Sequence, residues 1–294
     1  MPEPDALSLH PAHLRRLAEN ALLEDEAWHD VTTEALVPPE QNGRGVIVAK
    51  AEGVLAGLPM AEAVFKAVDP SLAWRPLAAE GEGARLSPGE AVAEVEGPLA
   101  AILRGERVAL NYLSHLSGVA TATARLVEAI AGTGCRLRDT RKTTPGLRTL
   151  EKYAVRIGGG ENHRFSLADA ILIKDNHLAA LRARGLGIAD AVRLAREAAP
   201  PEMRVQIEVT SVEEAREALA AGAHELLLDN MSPEEMRQVV ELAKGKAVLE
   251  ASGGITLDNA RRVAETGVDY ISVGAITHSA PALDLSLEVQ GTSP

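Results

Sequence analysis

VQIEVTSVEEAREALAAGAHELLLDN (205–230) holds one complete turn of the repeat around which the second half of the chain is organised. VQIEV and ELLLD are short runs that read as apolar on both faces, as strands do when a parallel sheet is covered on both sides. The segment between them has a helical period and carries its own boundaries. Ser211 with Glu214 forms an S-x-x-E capping box, and Gly222 stands where a helix needs a left-handed residue to stop. The unit is βα, and it recurs. KAVLEA (246–251) and DYISVG (269–274) are further strands, Ser232, Pro233 and Glu235 open the helix that follows ELLLD, and Gly267 closes the next one. Glu208, Asp229 and Glu250 therefore fall at equal intervals, each at or near the carboxyl end of a strand, which is the active-site face of a parallel α/β barrel.

Working back from this core, RLRD (136–139) follows a helix-like stretch at 112–131, and ILIK (171–174) follows another at 147–157. That makes six strands, and the pattern predicts an incomplete, about six-stranded parallel α/β barrel over residues 117–279. Residues 1–116 predict a smaller N-terminal α+β domain. It has an opening helix, HLRRLAENALLEDE, and short strand-like pieces, GVIVAKAEGVLAG and EAVAEVEG, punctuated by Gly and Pro. No low-complexity linker separates the two, so a helix near 99–131 is expected to cross the junction. In the tail, 280–294, APALDLSLEV alternates like a strand and is placed to return to the first domain.

Composition narrows the function. The chain has 294 residues, 46% of them hydrophobic, enough for two domains. No apolar run approaches the roughly 20 residues that span a bilayer, and the opening residues lack the apolar centre of a secretion signal. A cytoplasmic protein without membrane segments is expected. The single cysteine, Cys135, excludes an internal disulfide and a cysteine zinc cluster and reads as a small buried residue beside a strand. A net charge of −12 argues against a general nucleic-acid surface.

Against that acidic background, DTRKTTPGLRTLEKYAV (139–155), GGGENHR (158–164) and LIKDNH (172–177) concentrate Arg141, Lys142, Arg148, His163, Arg164 and Lys174. All but Arg148 fall at strand ends or beside a triple glycine. Such a cluster suits a polyanion, because the arginine fork grips carboxylates and lysine supplies a mobile point charge for phosphate. Arg148, on a helix beside Glu151, reads equally as a surface ion pair. Glu208 and Asp229 end adjacent strands and are placed to hold Mg²⁺ through oxygen, although they would serve as well to cap helices or to pair with the cations. Glu250 is open between site and scaffold. The glycines of LEASGGI (249–255) and ISVGAITHSA (271–280) let backbone N–H groups come close to a phosphate. His177 and His278 fit either a site or a simple helix cap. The sequence has no HExxH and no G-x-S-x-G, which argues against zinc and serine-hydrolase chemistry.

Together with ERVALNYLSHLSGVAT (106–121), LLLDN (226–230) and HDVTTEAL (29–36), these stretches form an ordered series that resembles the quinolinate phosphoribosyltransferases over nearly the whole chain. The resemblance implies a decarboxylating transfer from phosphoribosyl pyrophosphate to quinolinate, with Mg²⁺, in a homodimer whose active sites are shared. It implies that Arg141, His163 and Arg164 hold the two quinolinate carboxylates, and that Lys142 and Lys174 contact phosphoribosyl pyrophosphate or those carboxylates. Glu208 and Asp229 would serve the Mg²⁺-bound end. Ser252, Gly253, Gly254 and Gly274, with His278 nearby, would cradle the ribose phosphate. Arg107 would reach the partner subunit's substrate. Where the family often has a second acidic residue, this chain has Thr210, which is assigned no metal role.

Overall fold

The computed structural model describes residues 9–291; the ends of the expected first domain and tail, 1–8 and 292–294, lie outside it. The first elements in chain order are α1 (Pro11–Glu24), α2 (Val31–Leu36), β1 (Asn42–Ala49), β2 (Gly53–Val54), α3 (Leu58–Val68), β3 (Ala73–Pro76), β4 (Arg85–Leu86), β5 (Ala91–Pro98) and α4 (Leu99–Ala129). There follow β6 (Arg136–Arg138), α5 (Arg148–Ile157), β7 (Ile171–Ile173), α6 (Asp175–Arg182), α7 (Ile188–Ala198), β8 (Val205–Val209), α8 (Val212–Ala220) and β9 (Glu225–Asp229). The chain continues through α9 (Pro233–Ala243), β10 (Val248–Ser252), α10 (Leu257–Ala264), β11 (Tyr270–Ser272), α11 (Ala275–His278) and β12 (Leu285–Gly291). Two compact units result. The first takes residues up to Ala124, Thr144–Gly159 and the segment from Ser279, and the second takes Arg125–Thr143 and Gly160–His278.

In the first unit β12, β1, β5 and β3 form an antiparallel sheet in that order, so the last strand of the chain pairs with the first. Ile47, Ala49, Ala93 and Val95 are fully buried on it, and Leu22, Phe65, Leu72 and Ile102 are buried in the same unit. Fully burying each large side chain contributes about 1.5–3 kcal/mol. Gly118 on α4 lies so close to Pro281 that a Cβ there would sit 2.2 Å from the Pro281 carbonyl oxygen.

The second unit is the predicted barrel. Its strands are all parallel in the order β6-β11-β10-β9-β8-β7. Strands adjacent in sequence pair from β7 to β11, and β11 then pairs with β6, the first strand, which curls the sheet toward a ring. The ring stays open between β6 and β7, which share no ladder among the described residues. The helix between those two strands, α5, belongs to the other unit, so the βα repeat is interrupted where the ring is open.

Strand register sorts the two faces. Glu208, Leu227, Glu250 and Tyr270 stand in one row, and Asp229, Ser252, Ser272 and Arg138 in the next row toward the carboxyl end. The opposite face, with Ile207, Val209, Leu226, Leu228, Leu249, Ala251 and Ile271, is buried and apolar. The strands therefore differ from the sequence reading: their inner face is polar, because the interior of this barrel carries chemistry as well as packing.

Caps follow the sequence with one variation. Ser232 and Glu235 cap α9 reciprocally, whereas Ser211 caps α8 but Glu214 reaches past it to the N–H and hydroxyl of Thr210. Gly222 and Gly267 are left-handed, at φ 84° and 96°. The strands are shorter than the apolar runs suggest: DYISVG supplies only Tyr270–Ser272.

Candidate active site

A cavity of about 290 Å³ opens within the second unit, and Thr140, Arg141, Lys142, His163, Arg164, Lys174, Glu208, Asp229, Glu250, Ser252 and Ser272 line it with Leu172 and Leu227. Most of the polar residues arrive from a strand end or from the loop beyond one, while Glu250 lies in the middle of β10 and His163 and Arg164 come from the loop after α5. Thr140, Arg141 and Lys142 follow β6, Lys174 follows β7, Glu208 is in β8, Asp229 ends β9, Ser252 ends β10 and Ser272 ends β11.

The loop bearing His163 and Arg164 is fixed to β6. Glu161 forms a parallel bridge with Arg138, and the fully buried Asp139 accepts from the Asn162 side chain at 2.6 Å and the His163 backbone N–H at 2.8 Å. Arg164 is 7% exposed and donates through Nη1 to the Ala170 carbonyl at 2.8 Å. Burial and the neighbouring Arg141 charge lower the pKa of its guanidinium, and an arginine still carries its charge after such a shift. Beyond it, Asp169 accepts from the N–H groups of Phe165 and Ser166 and closes the loop. The backbone carbonyl of Lys142 accepts from the Thr277 hydroxyl at 2.7 Å, tying the loops after β6 and β11 together.

Glu208 is pushed above the ordinary carboxylate range, first by burial and then by the charges of Asp229 and Asp175, with Lys174 and Lys142 opposing. Among the described residues no three His, Cys, Asp or Glu side chains cluster as a self-sufficient metal cage. Two repelling carboxylates beside open space suit a hard cation that completes its shell with water and phosphate oxygens, so Glu208 and Asp229 fit Mg²⁺ held together with a phosphorylated substrate.

The glycine turns have distinct reasons. Gly253 is left-handed at φ 91°, and a Cβ there would lie 2.2 Å from Asn230 Oδ1. Gly254 is left-handed as well. Gly274 is crowded by Lys142, Thr140 and His278, whose side chains would lie within 3.0–3.3 Å of a Cβ at that position.

Other sequence candidates fall elsewhere. His177 is a helix cap, its Nδ1 accepting from the Lys174 N–H at 2.9 Å. Arg148 starts α5 in the first unit, and Arg107 is exposed on α4 in that same unit. Cys135 is buried beside β6, and burial followed by the Asp269 charge pushes its thiol up to about 12. Sequence reasoning passed over Thr140, Asp139, Gln206 and Ser272. Thr140, Asp139 and Ser272 stood in quoted motifs, but Gln206 had no signal beyond its place in a strand.

An open α/β ring whose strand ends gather guanidinium, ammonium and carboxylate groups beside two glycine turns defines an enzyme of the barrel phosphoribosyltransferase class. The match to known sequences is specific. The quinolinate phosphoribosyl transferase C-terminal domain matches residues 119–288 and the N-terminal domain matches 30–117, and the chain belongs to that family. The chain is 43% identical to the probable nicotinate-nucleotide pyrophosphorylase (carboxylating) of Bacillus subtilis, over 94% of this chain and 93% of that protein. It is 42% identical to the nicotinate-nucleotide pyrophosphorylase (carboxylating) of Homo sapiens, over 97% and 94%. The crystal structure of NadC from Streptococcus pyogenes superposes with a TM-score of 0.92 at 41% identity, covering 97% of this chain and 99% of that one. No helix among the described residues is long and apolar enough to cross a membrane.

Proposed function

We propose that this chain joins quinolinate to the phosphoribosyl group of phosphoribosyl pyrophosphate, releasing pyrophosphate and CO₂ and leaving nicotinate mononucleotide for NAD synthesis in the cytoplasm. The observation that carries this reading is the meeting of Arg141, Lys142, His163, Arg164 and Lys174 with Glu208 and Asp229 in one cavity. Arg141 and Arg164 supply planar forks for two neighbouring carboxylates, and His163 joins them in the cavity. Lys142 and Lys174 supply point charges for phosphate oxygens. The turns at Ser252–Gly254 and Gly274, with His278, cradle the ribose phosphate.

The ring nitrogen forms a bond to the anomeric carbon as the bond to pyrophosphate breaks, and the charge of the departing polyanion must be neutralised. Mg²⁺ held by Glu208 and Asp229 supplies that neutralisation when bound. Once ribosylated, the pyridine nitrogen is cationic and stabilises the electron pair left on the neighbouring ring carbon when its carboxylate departs as CO₂; that same carbon then takes a proton. No protein nucleophile is needed, and catalysis rests on positioning and charge.

The test is a substrate panel with purified protein. Quinolinate with phosphoribosyl pyrophosphate should give CO₂, pyrophosphate and a product of nicotinate mononucleotide mass. Turnover of nicotinate with no CO₂ release would overturn the reading. EDTA should silence turnover and Mg²⁺ restore it, and an unchanged Mg²⁺ titration in the Glu208→Gln/Asp229→Asn double variant would remove those two residues from the metal. The active form is proposed to be a homodimer with Arg107 serving the partner's site. Leu23, Val31 and Leu36, 64%, 75% and 74% exposed on the first unit, offer apolar surface for such an association.

A further inference from the structure

From the cavity wall into the barrel interior runs a hydrogen-bond chain that keeps one direction from the Arg164 backbone to Glu250. The Arg164 backbone N–H donates to His163 Nδ1 at 2.7 Å. His163 Nε2 meets Gln206 Oε1 at 3.0 Å, and Gln206 Nε2 donates to Glu250 Oε2 at 3.2 Å. Arg138 Nη1 donates to the same oxygen at 3.0 Å. Gln206 is 4% exposed and Glu250 fully buried, so bulk water takes no part in choosing these partners.

The ends of the chain determine its middle. A backbone N–H can only donate, so His163 Nδ1 must accept and the ring's proton lies on Nε2. An ionised carboxylate can only accept, so the Gln206 amide must turn its NH₂ to Glu250 and its oxygen to His163. Arg138 pairs with Glu250 by direct contact, and its guanidinium lies 3.2 Å above the centre of the Tyr270 ring, which fixes its place. Among the described residues the second oxygen of Glu250 makes no hydrogen bond, and it lies 3.5 Å from His163 Nε2, so the imidazole proton faces two acceptors on the interior side. A reversed amide would put NH₂ against that proton and oxygen against the carboxylate, two repulsions in a buried site.

We infer that Gln206 and Glu250 are positioning residues for the carboxylate clamp: through the buried amide they hold His163 with its Nε2–H pointing into the barrel and its Nδ1 bound to Arg164. This rests on the reading of Arg141, His163 and Arg164 as the quinolinate clamp. Asp139 fixes the backbone of His163, while Gln206 and Glu250 fix its ring, so the two constraints together set where Arg164 begins.

The experiment uses full-length protein labelled with ¹⁵N-histidine, the His163 ring signals being those lost from the spectrum of His163→Gln. The wild type should show one neutral Nε2–H tautomer. Gln206→Met keeps the volume but removes both hydrogen bonds, and Glu250→Gln keeps the shape but lets the amide reverse. In each, the His163 ring resonances should shift or split, and kcat/KM for quinolinate should fall at least about tenfold while KM for phosphoribosyl pyrophosphate moves less than about threefold. If removing Glu250's charge leaves Arg138 without its buried partner and the variant unfolds, Arg138→Met/Glu250→Gln removes both charges and takes its place. Unshifted ring signals in the folded variants overturn the inference, as does an altered ring with kcat/KM for quinolinate within about twofold of wild type. A wild-type protein that does not turn over quinolinate would sink the proposed reaction instead, and the ring spectra would still decide whether Gln206 and Glu250 hold His163.

Discussion

Arg141 and Arg164 bring the same charge to the cavity but are held differently. Arg164 is nearly sealed and supplies the hydrogen bond to the Ala170 carbonyl, whereas Arg141 is partly exposed on the loop after β6. Arg141→Ala should therefore lower kcat/KM for quinolinate by about 100-fold, equivalent to roughly 2.7 kcal/mol of lost transition-state contact, and cost less stability than the same change at the more deeply buried Arg164. Arg164→Ala should lose activity to a similar extent and also cost about 1–3 kcal/mol, because it strands a buried carbonyl. Urea titrations beside steady-state kinetics separate the two, and equal stability losses would contradict the difference in anchoring. Cys135, with its thiol pushed up to about 12 by burial, should resist alkylation at about pH 8 in the native protein and react once unfolded.

Among the elements, α2 depends on a single cap. Asp30 accepts from the N–H groups of Thr32 and Thr33 and from the Thr33 hydroxyl, and the Thr33 hydrogen bonds hold its carboxyl below the ordinary range. A group whose folded pKa is depressed contributes stability above its unfolded value, and that contribution is lost as pH falls through the folded pKa. Asp30→Ala should cost about 1 kcal/mol at neutral pH, and the gap to wild type should narrow below pH 3.8, the carboxyl's ordinary value. Paired denaturant titrations at about pH 7 and about pH 3 measure this, and a gap independent of pH would assign the loss to packing. In α4 two effects oppose each other at Gly118. Replacing a mid-helix glycine by alanine gains up to about 1 kcal/mol of helix propensity. Here the new Cβ would meet the Pro281 carbonyl oxygen at 2.2 Å and the Ala282 Cα at 3.0 Å, backbone atoms that cannot rotate away. Overpacking costs about 1–3 kcal/mol or more, so Gly118→Ala should lower Tm; a higher Tm would mean the two segments separate at little cost.

At the scale of the molecule, the proposed shared site makes a quantitative prediction. Arg107 is exposed on α4 in the first unit, while Lys174 lines the cavity of the second. Arg107→Ala and Lys174→Ala should each be nearly inactive alone. In a two-fold dimer the contact is reciprocal, so a mixed dimer collects both lesions in one site and leaves the other intact. Random exchange makes about half the dimers mixed, with one working site of two, and activity should recover to roughly a quarter of wild type. Mixed dimers isolated with two affinity tags that remain as inactive as their parents would show that Arg107 does not act across subunits.

By itself the sequence determined the parallel repeat, the helix caps, the acidic residues at strand ends and the cationic motifs, because each of these is written in local chemistry: an apolar run, an S-x-x-E pair, a glycine where φ is positive, a cluster of Arg and Lys. It left Glu250 open between site and scaffold, His177 open between site and cap, and the interior of the strands misread as apolar. Those points were decided by tertiary structure. Register alone puts Glu208 and Glu250 in one row, ring curvature brings Arg138 from β6 beside β11, and the fold carries His163 to Gln206 across 43 residues of chain. A hydrogen-bond chain built from four separate segments has no local signature, since its members become donors and acceptors for one another only after the barrel has curled and excluded water.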